Sequence, residues 1–136
     1  MNSLYIDATA KSPKVTLDIE KNVFQIEGNS RPENVRDFYY PIIDLLKEYF
    51  EGLSKKNFQE YFEEFPIKFN FKLDYFNSSS AKFLSDILVI IKKYADLGFN
   101  IKVYWYFEEH DDDMKEVGED FADMITYPFS FIMVQR

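Results

Sequence analysis

Ile67-Lys68-Phe69-Asn70-Phe71-Lys72-Leu73-Asp74-Tyr75-Phe76-Asn77-Ser78-Ser79-Ser80-Ala81-Lys82 is the stretch that decides the fold. Ile67, Phe69, Phe71, Leu73 and Tyr75 alternate with Lys68, Asn70, Lys72 and Asp74. A period of two predicts a half-buried strand. Beyond the serines, Leu84, Ile87, Leu88, Ile91, Tyr94 and Ala95 recur at three- and four-residue spacing, which predicts a helix packing one face. The hydroxyl cluster therefore opens a helix directly past a strand end. Backbone N–H groups without intrahelical partners and the positive end of the helix dipole favour negative charge there. A phosphate can be installed at such a place. Ser and Asn are also preferred helix caps, so the local sequence alone leaves a purely capping role open.

Working outward, Val15, Leu17 and Ile19 alternate with Thr16 and Asp18 as a strand, Glu20-Lys21-Asn22 turns, and Val23–Glu27 returns as its hairpin partner. An edge strand is expected around Leu4–Ala8. Gly28-Asn29-Ser30-Arg31-Pro32-Glu33 opens a first helix, with Ser30 as N-cap, Glu33 as its capping-box partner and Pro32 in the first turn. Val35, Phe38, Ile42, Leu45, Leu46, Tyr49 and Leu53 form the apolar stripe, and Pro41 is expected to kink or divide the helix. No element is assigned to Ser54–Phe65. Gly98 ends the helix after the serines. Ile101, Val103, Trp105 and Phe107 mark another strand, Asp111-Asp112-Asp113 start a short helix, and Phe129–Val134 closes the chain as a strand. Strands that alternate, and are not continuously apolar, leave part of one sheet face to solvent. The expectation is a single α/β domain over residues 1–136, a two-layer sandwich of a mixed β-sheet with helices mainly on one face.

The chain has 136 residues, 46% of them hydrophobic, enough to bury a substantial core. With 15 Phe and 10 Tyr, some rings should be displayed for contact as well as buried. The absence of cysteine excludes disulfides, thiolate catalysis and thiolate metal sites. The single histidine, His110, excludes any site needing two imidazoles. A net charge of −8 with dispersed Lys and Arg argues against nucleic acid as a partner and against direct contact with anionic membranes. Met1–Asp7 lacks the features of a signal peptide, and the apolar run Ile87–Ile91 is too short to span a bilayer. A cytoplasmic protein is expected.

The acidic run Glu108-Glu109-His110-Asp111-Asp112-Asp113 offers oxygen ligands for a hard cation, and a metal-dependent hydrolase using Asp111, Asp112 and Asp113 is one alternative reading. The run lacks the spacing and central glycine of an EF-hand, and acidic residues also suit a helix start or a partner-facing surface. Neither a nucleophile elbow nor a phosphate-binding glycine loop is present in a chain with 4 Gly. No catalytic residue, metal or cofactor is expected, and the protein is read as no enzyme. Tyr40, Tyr104 and Tyr106 should point away from the core if the periodicities hold, as partner-contacting aromatics. A second alternative is therefore a constitutive protein-binding adaptor whose serines only cap a helix.

Three blocks together resemble the SiaC family of bacterial regulatory phosphoproteins. They are Gly28-Asn29-Ser30-Arg31-Pro32-Glu33-Asn34 running to Phe38-Tyr39-Tyr40-Pro41, Leu73–Lys82, and Val103–Met114 leading into Gly118-Glu119-Asp120-Phe121. The resemblance implies a STAS-like fold. It also implies a Ser or Thr at a helix start that a Ser/Thr protein kinase phosphorylates and a PPM-type phosphatase restores. The family acceptor follows the Asn of the Tyr-Phe-Asn block, which puts it at Ser78, with Ser79 and Ser80 as neighbouring alternatives. Ser78 replaces the more usual Thr, and Asn29 stands where Arg is common. The implied output is binding to a diguanylate cyclase, controlling cyclic di-GMP and biofilm formation, or to another effector protein. Asn77, Lys82, Arg31, Glu33, Tyr40, Tyr104, Tyr106, Asp111, Asp112 and Asp113 are the expected partner-contacting residues.

Overall fold

A computed structural model describes residues 3–56 and 64–135. β1 (Leu4–Ile6), β2 (Lys14–Asp18) and β3 (Val23–Ser30) form an antiparallel meander. The chain then repeats a strand–helix rhythm through α1 (Val35–Lys56), β4 (Ile67–Phe76), α2 (Ser78–Asp96), β5 (Ile101–Glu108), α3 (Asp112–Ile125) and β6 (Ser130–Val134). Each of β4, β5 and β6 lies parallel to the strand before it, giving a six-stranded sheet in the order β1-β2-β3-β4-β5-β6. Right-handed crossovers that all step in one direction place their helices on the same face. The result is the expected two-layer sandwich.

The buried layer follows from the alternation. Phe24, Ile26, Phe69, Phe71, Val103 and Trp105 project from the sheet under Leu46 and Phe50 of α1 and Leu84, Ile87, Leu88 and Ile91 of α2. The opposite face is polar and carries no helix among the described residues, and there Asn70 Nδ2 donates to Gln25 Oε1 at 3.2 Å and Gln25 Nε2 to Glu27 Oε2 at 3.0 Å. Among the described residues no helix is long and apolar enough to cross a membrane. Of the Ser54–Phe65 stretch, residues 57–63 lie outside the described ones.

Four local expectations are corrected. Ser30 does not cap α1; it is the last residue of β3 and fully buried. The cap is Asn34, whose Oδ1 accepts from Asp37 N at 3.1 Å while its Nδ2 donates to Asp37 Oδ2 at 2.8 Å. The cap has moved four residues along, with Asp37 accepting from the Asn34 side-chain amide where a capping box would use the backbone N–H, because the Ser30 backbone is still held in the sheet opposite Phe76. Pro41 does not divide α1, which runs unbroken through it. The one hydrogen bond it removes would have ended on the Asp37 carbonyl, in the exposed first turn where water can satisfy it. The buried stripe consists of Tyr39, Ile42, Ile43, Leu46, Tyr49 and Phe50, so it is rotated from the expected one, and Val35, Phe38, Leu45 and Leu53 lie at its edges.

The fourth correction concerns the end of β4. Leu73 pairs with Gly28 and Tyr75 with Asn29, so Asp74 is an extra residue in β4. This bulge breaks the alternation by one position. Tyr75, expected inside, is 50% exposed, while Phe76 packs its ring 6.3 Å from Trp105 and 6.2 Å from Phe121. Gly28 adopts φ 106 beside the bulge, a backbone conformation that favours glycine.

Candidate functional site

The carboxyl ends of parallel β3, β4 and β5 lie side by side, and each feeds one of the segments singled out in the sequence. β3 ends at Ser30 and leads to Arg31 and Glu33; β4 ends at Phe76 and leads to Asn77 and Ser78; β5 ends at Glu108 and leads to Asp111. This rim is where open α/β sheets hold their ligands and partners.

Ser78 is the first residue of α2 and is exposed. It is not the cap. Asn77 takes that role, in an extended conformation, with its side chain accepting from Ser80 N at 2.9 Å. Among the described residues neither the Ser78 nor the Ser79 hydroxyl has a hydrogen-bond partner, and both side chains are open to solvent. Ser80 is the opposite case. It is fully buried, and its Oγ donates to the Ser30 carbonyl at 3.0 Å.

A buried chain of hydroxyls holds this turn. Ser30 Oγ donates to Ser80 Oγ at 2.8 Å, which leaves Tyr39 OH to donate to Ser30 Oγ at 2.5 Å. Each hydroxyl then donates once, ending on the Ser30 carbonyl, which also accepts from Asn77 N at 3.1 Å. Tyr39 lies stacked 5.6 Å from Phe83 of α2, and burial pushes its phenol pKa up, partly offset by the neighbouring hydroxyls of Ser30 and Ser80. β3, α1 and the first turn of α2 are thus stapled together beneath Ser78. Sequence reading missed Tyr39 and Ser80 as a pair because they are brought together only by the packing of α1 on α2.

The electrostatics of the three helix starts differ. α1 carries Asp37 and α3 carries Asp112 and Asp113 in the first turn, but α2 has no acidic residue there. Its positive dipole end thus has no acidic partner within its own first turn, in a chain of net charge −8. Lys82 is paired with Asp86 at 3.0 Å and lies 4.6 Å over the Phe83 ring, so its charge is directed along the helix. Arg31 is exposed and follows Ser30, whose carbonyl bonds Asn77, so Arg31 and Ser78 leave adjacent strand ends.

The remaining predicted contact residues separate into two groups. Glu33 is exposed and pairs with Lys11 at 3.3 Å, and Tyr40, 50% exposed, sits edge-on 5.4 Å from Phe83, one turn along from the serines. Asp111 is the N-cap of α3, accepting from Met114 N at 3.1 Å, with Asp112 and Asp113 exposed after it. These share the rim with Ser78. Among the described residues no group of three or more His, Asp or Glu side chains is disposed to hold a metal ion. Tyr104 and Tyr106 are half-buried on the helix-free face instead. Tyr106 lies under Lys72 Nζ at 4.6 Å and borders a groove of about 410 Å³ with Lys14, Glu27 and Asp74. Tyr75, released by the bulge, is an exposed rim aromatic that the strict alternation hid; the adjacent pair Tyr75-Phe76 was the signal, since both cannot face one core.

The family model of SiaC regulatory phosphoproteins matches residues 6–134. The chain belongs to the SiaC family of regulatory phosphoproteins. An uncharacterized protein of Pseudomonas aeruginosa strain UCBPP-PA14 is 23% identical over 130 residues, covering 96% of this chain and 95% of that one. Two solved structures from Pseudomonas aeruginosa share the fold. Apo-SiaC, at 22% identity, superposes with a TM-score of 0.78 over 98% of each chain. SiaC in its complex with the diguanylate cyclase SiaD, which it activates, superposes with a TM-score of 0.80 over 98% of this chain and 99% of that one, at 22% identity. In this member of the SiaC family, the hydroxyls of Ser78 and Ser79 are the ones a second protein can reach at the start of α2.

Proposed function

We propose that this chain is a non-catalytic switch whose Ser78 hydroxyl is phosphorylated by a Ser/Thr protein kinase and restored by a PPM-type phosphatase. Its unmodified form docks on an effector protein in the cytoplasm. The observation that carries this reading is an exposed hydroxyl with no structural duty, at a helix start that lacks an acidic residue. A serine that merely capped α2 would have its side chain on the backbone, and Asn77 already does that work. Ser79 shares the exposure; Ser80 does not, and its burial argues against it as an acceptor.

A phosphoryl group adds roughly 1.5 to 2 negative charges at neutral pH and strong acceptor oxygens. The Ser78 and Ser79 N–H groups and the dipole end accommodate that charge within the fold. A partner surface matched to a neutral hydroxyl does not, so modification releases the effector while the domain stays folded. The effector we favour is a diguanylate cyclase, by the relation between SiaC and SiaD in the complex that shares this fold. Asn77, Arg31, Glu33, Tyr40 and Asp111–Asp113 surround Ser78 as the docking rim, with Lys82 beside them.

Phosphopeptide mapping of protein purified from its native cells tests the acceptor, with phosphate expected on Ser78. A pull-down comparing wild type, Ser78→Ala and Ser78→Asp tests the output. Retention of the effector by the first two and its loss with the third is expected. Equal capture by all three, together with no phosphate in the cluster, overturns the switch in favour of a constitutive adaptor.

A further inference from the structure

β6 is the outer strand of the sheet, and among the described residues nothing pairs with its free side. Its composition is unlike the rest of the chain. Residues 124–135 contain no charged side chain, in a protein of which 29% of residues are charged. Exposed edges of monomeric proteins are ordinarily kept apart by charge, by shortness or by proline within the strand. β1, the other edge, is protected by its length of 3 residues and by Asp7 directly after it. β6 has 5 residues, Ser-Phe-Ile-Met-Val, and none of these devices inside it.

The outward hydrogen-bonding groups can be assigned. The Val134 carbonyl accepts from Glu109 N of the β5 end at 2.9 Å, so Val134 turns its backbone toward β5. N–H and C=O groups alternate along a strand, which directs those of Ser130 and Ile132 toward β5 and those of Phe131 and Met133 outward. Side chains alternate independently. Phe131 pairs with Trp105 on the helix side, where Phe129 stacks 6.1 Å from the same indole, while Ile132 pairs with Tyr106 on the open face. Met133 is 51% exposed and Val134 36%.

We infer that β6 is a self-association edge, pairing antiparallel with β6 of a second copy about a two-fold axis at Ile132. That register overlaps the whole strand with itself. It sets Phe131 against the partner copy's Met133 as a hydrogen-bonded pair and Ile132 against its own counterpart, and every facing side chain is uncharged. A thioether against a phenyl ring and two facing β-branched residues are favourable cross-strand neighbours. Charge is what selects a second copy as occupant. Elsewhere the surface of a chain of net charge −8 repels itself, and a charged foreign strand finds no counter-charge on β6. The acidic helix α3, which precedes β6, comes near its counterpart in such a dimer, so added salt should strengthen the pairing. A single strand pair is a small interface, and the dissociation constant should be on the order of 100 µM.

Sedimentation velocity from about 1 µM to about 1 mM brackets that range. A monomer–dimer equilibrium that shifts toward dimer in higher salt is expected. Met133→Pro removes an outward N–H without touching a bond to β5 and should abolish the dimer, whereas Tyr5→Pro on the opposite edge should leave it intact. Hydrogen exchange on the wild type provides a readout independent of any variant. The Phe131 and Met133 amides should gain protection on concentration, and the Ile132 amide should be protected throughout. A monomer across the whole range, or a dimer that survives Met133→Pro unchanged, overturns the inference.

Discussion

Replacing Ser78 with Asp should move stability and effector binding in opposite directions. The Ser78 hydroxyl bonds no described residue, so its removal costs nothing that the fold uses. A carboxylate at the first position of α2 meets a dipole end whose own first turn carries no acidic residue. That interaction contributes about 0.3–1 kcal/mol at low ionic strength, which raises the melting temperature by about 1–4 °C for a domain of this size. Ser78→Asn controls for shape, since it carries the same volume without charge. The difference between Asp and Asn should shrink in about 1 M salt, where the screening length falls to about 3 Å. Calorimetric titration against the proposed diguanylate cyclase effector should show the Asp variant binding at least about tenfold more weakly, or about 1.4 kcal/mol, with the Asn variant close to wild type. A gain in stability with a loss of binding separates a charge switch from simple misfolding. An Asp variant that melts below the Asn variant, or binds as tightly as wild type, refutes the reasoning.

Three further outcomes follow from the packing. Ser30→Ala should destabilise by about 1–2 kcal/mol in urea denaturation, because it strands the buried Tyr39 hydroxyl, and Tyr39→Phe by about 0.5–1.5 kcal/mol, because Ser30 Oγ loses the bond it accepts. The double variant should cost about 1 kcal/mol less than their sum, and strict additivity would dissolve the proposed hydroxyl chain. Gly118→Ala should cost about 1–3 kcal/mol and disturb the near-ultraviolet signal of the only tryptophan, since a Cβ there would lie 2.5 Å from ring atoms of Trp105. Stability should also fall in alkali. The raised pKa of Tyr39 means the unfolded chain releases that proton first, from its ordinary value of 10.0 upward, so the contribution is complete below about pH 10 and lost above it as the folded phenol titrates. Tyr39→Phe should flatten that decline, and an unchanged alkaline limb in pH-dependent unfolding would count against the assignment.

The elements of this domain were legible because its periodicities are local. The alternation of Ile67–Leu73 and the three-to-four spacing of Leu84–Ala95 specify a strand and a helix whatever they pack against. Gly98, with φ 106, ends α2 for an equally local reason. The serines' position at a helix start follows from the same patterns, and the resemblance carried by the three blocks supplied the expected partners and the expected acceptor.

What the sequence determined by itself was thus the order of elements, the two layers they form and the meeting of a hydroxyl cluster with a helix N-terminus, since each depends on neighbours within a few residues. Only the tertiary structure decided that Asn34 and not Ser30 caps α1, that Ser80 is sealed away while Ser78 is open, and that Tyr75 faces solvent. Those outcomes turn on contacts across the sheet. Ser30 is held opposite Phe76, Tyr39 is carried onto Phe83 by the packing of α1 against α2, and the extra residue Asp74 falls opposite the Gly28–Asn29 step of β3, where Gly28 has φ 106. A side chain's exposure is set by what arrives from elsewhere in the chain, and one inserted residue in a strand reverses every face that follows it.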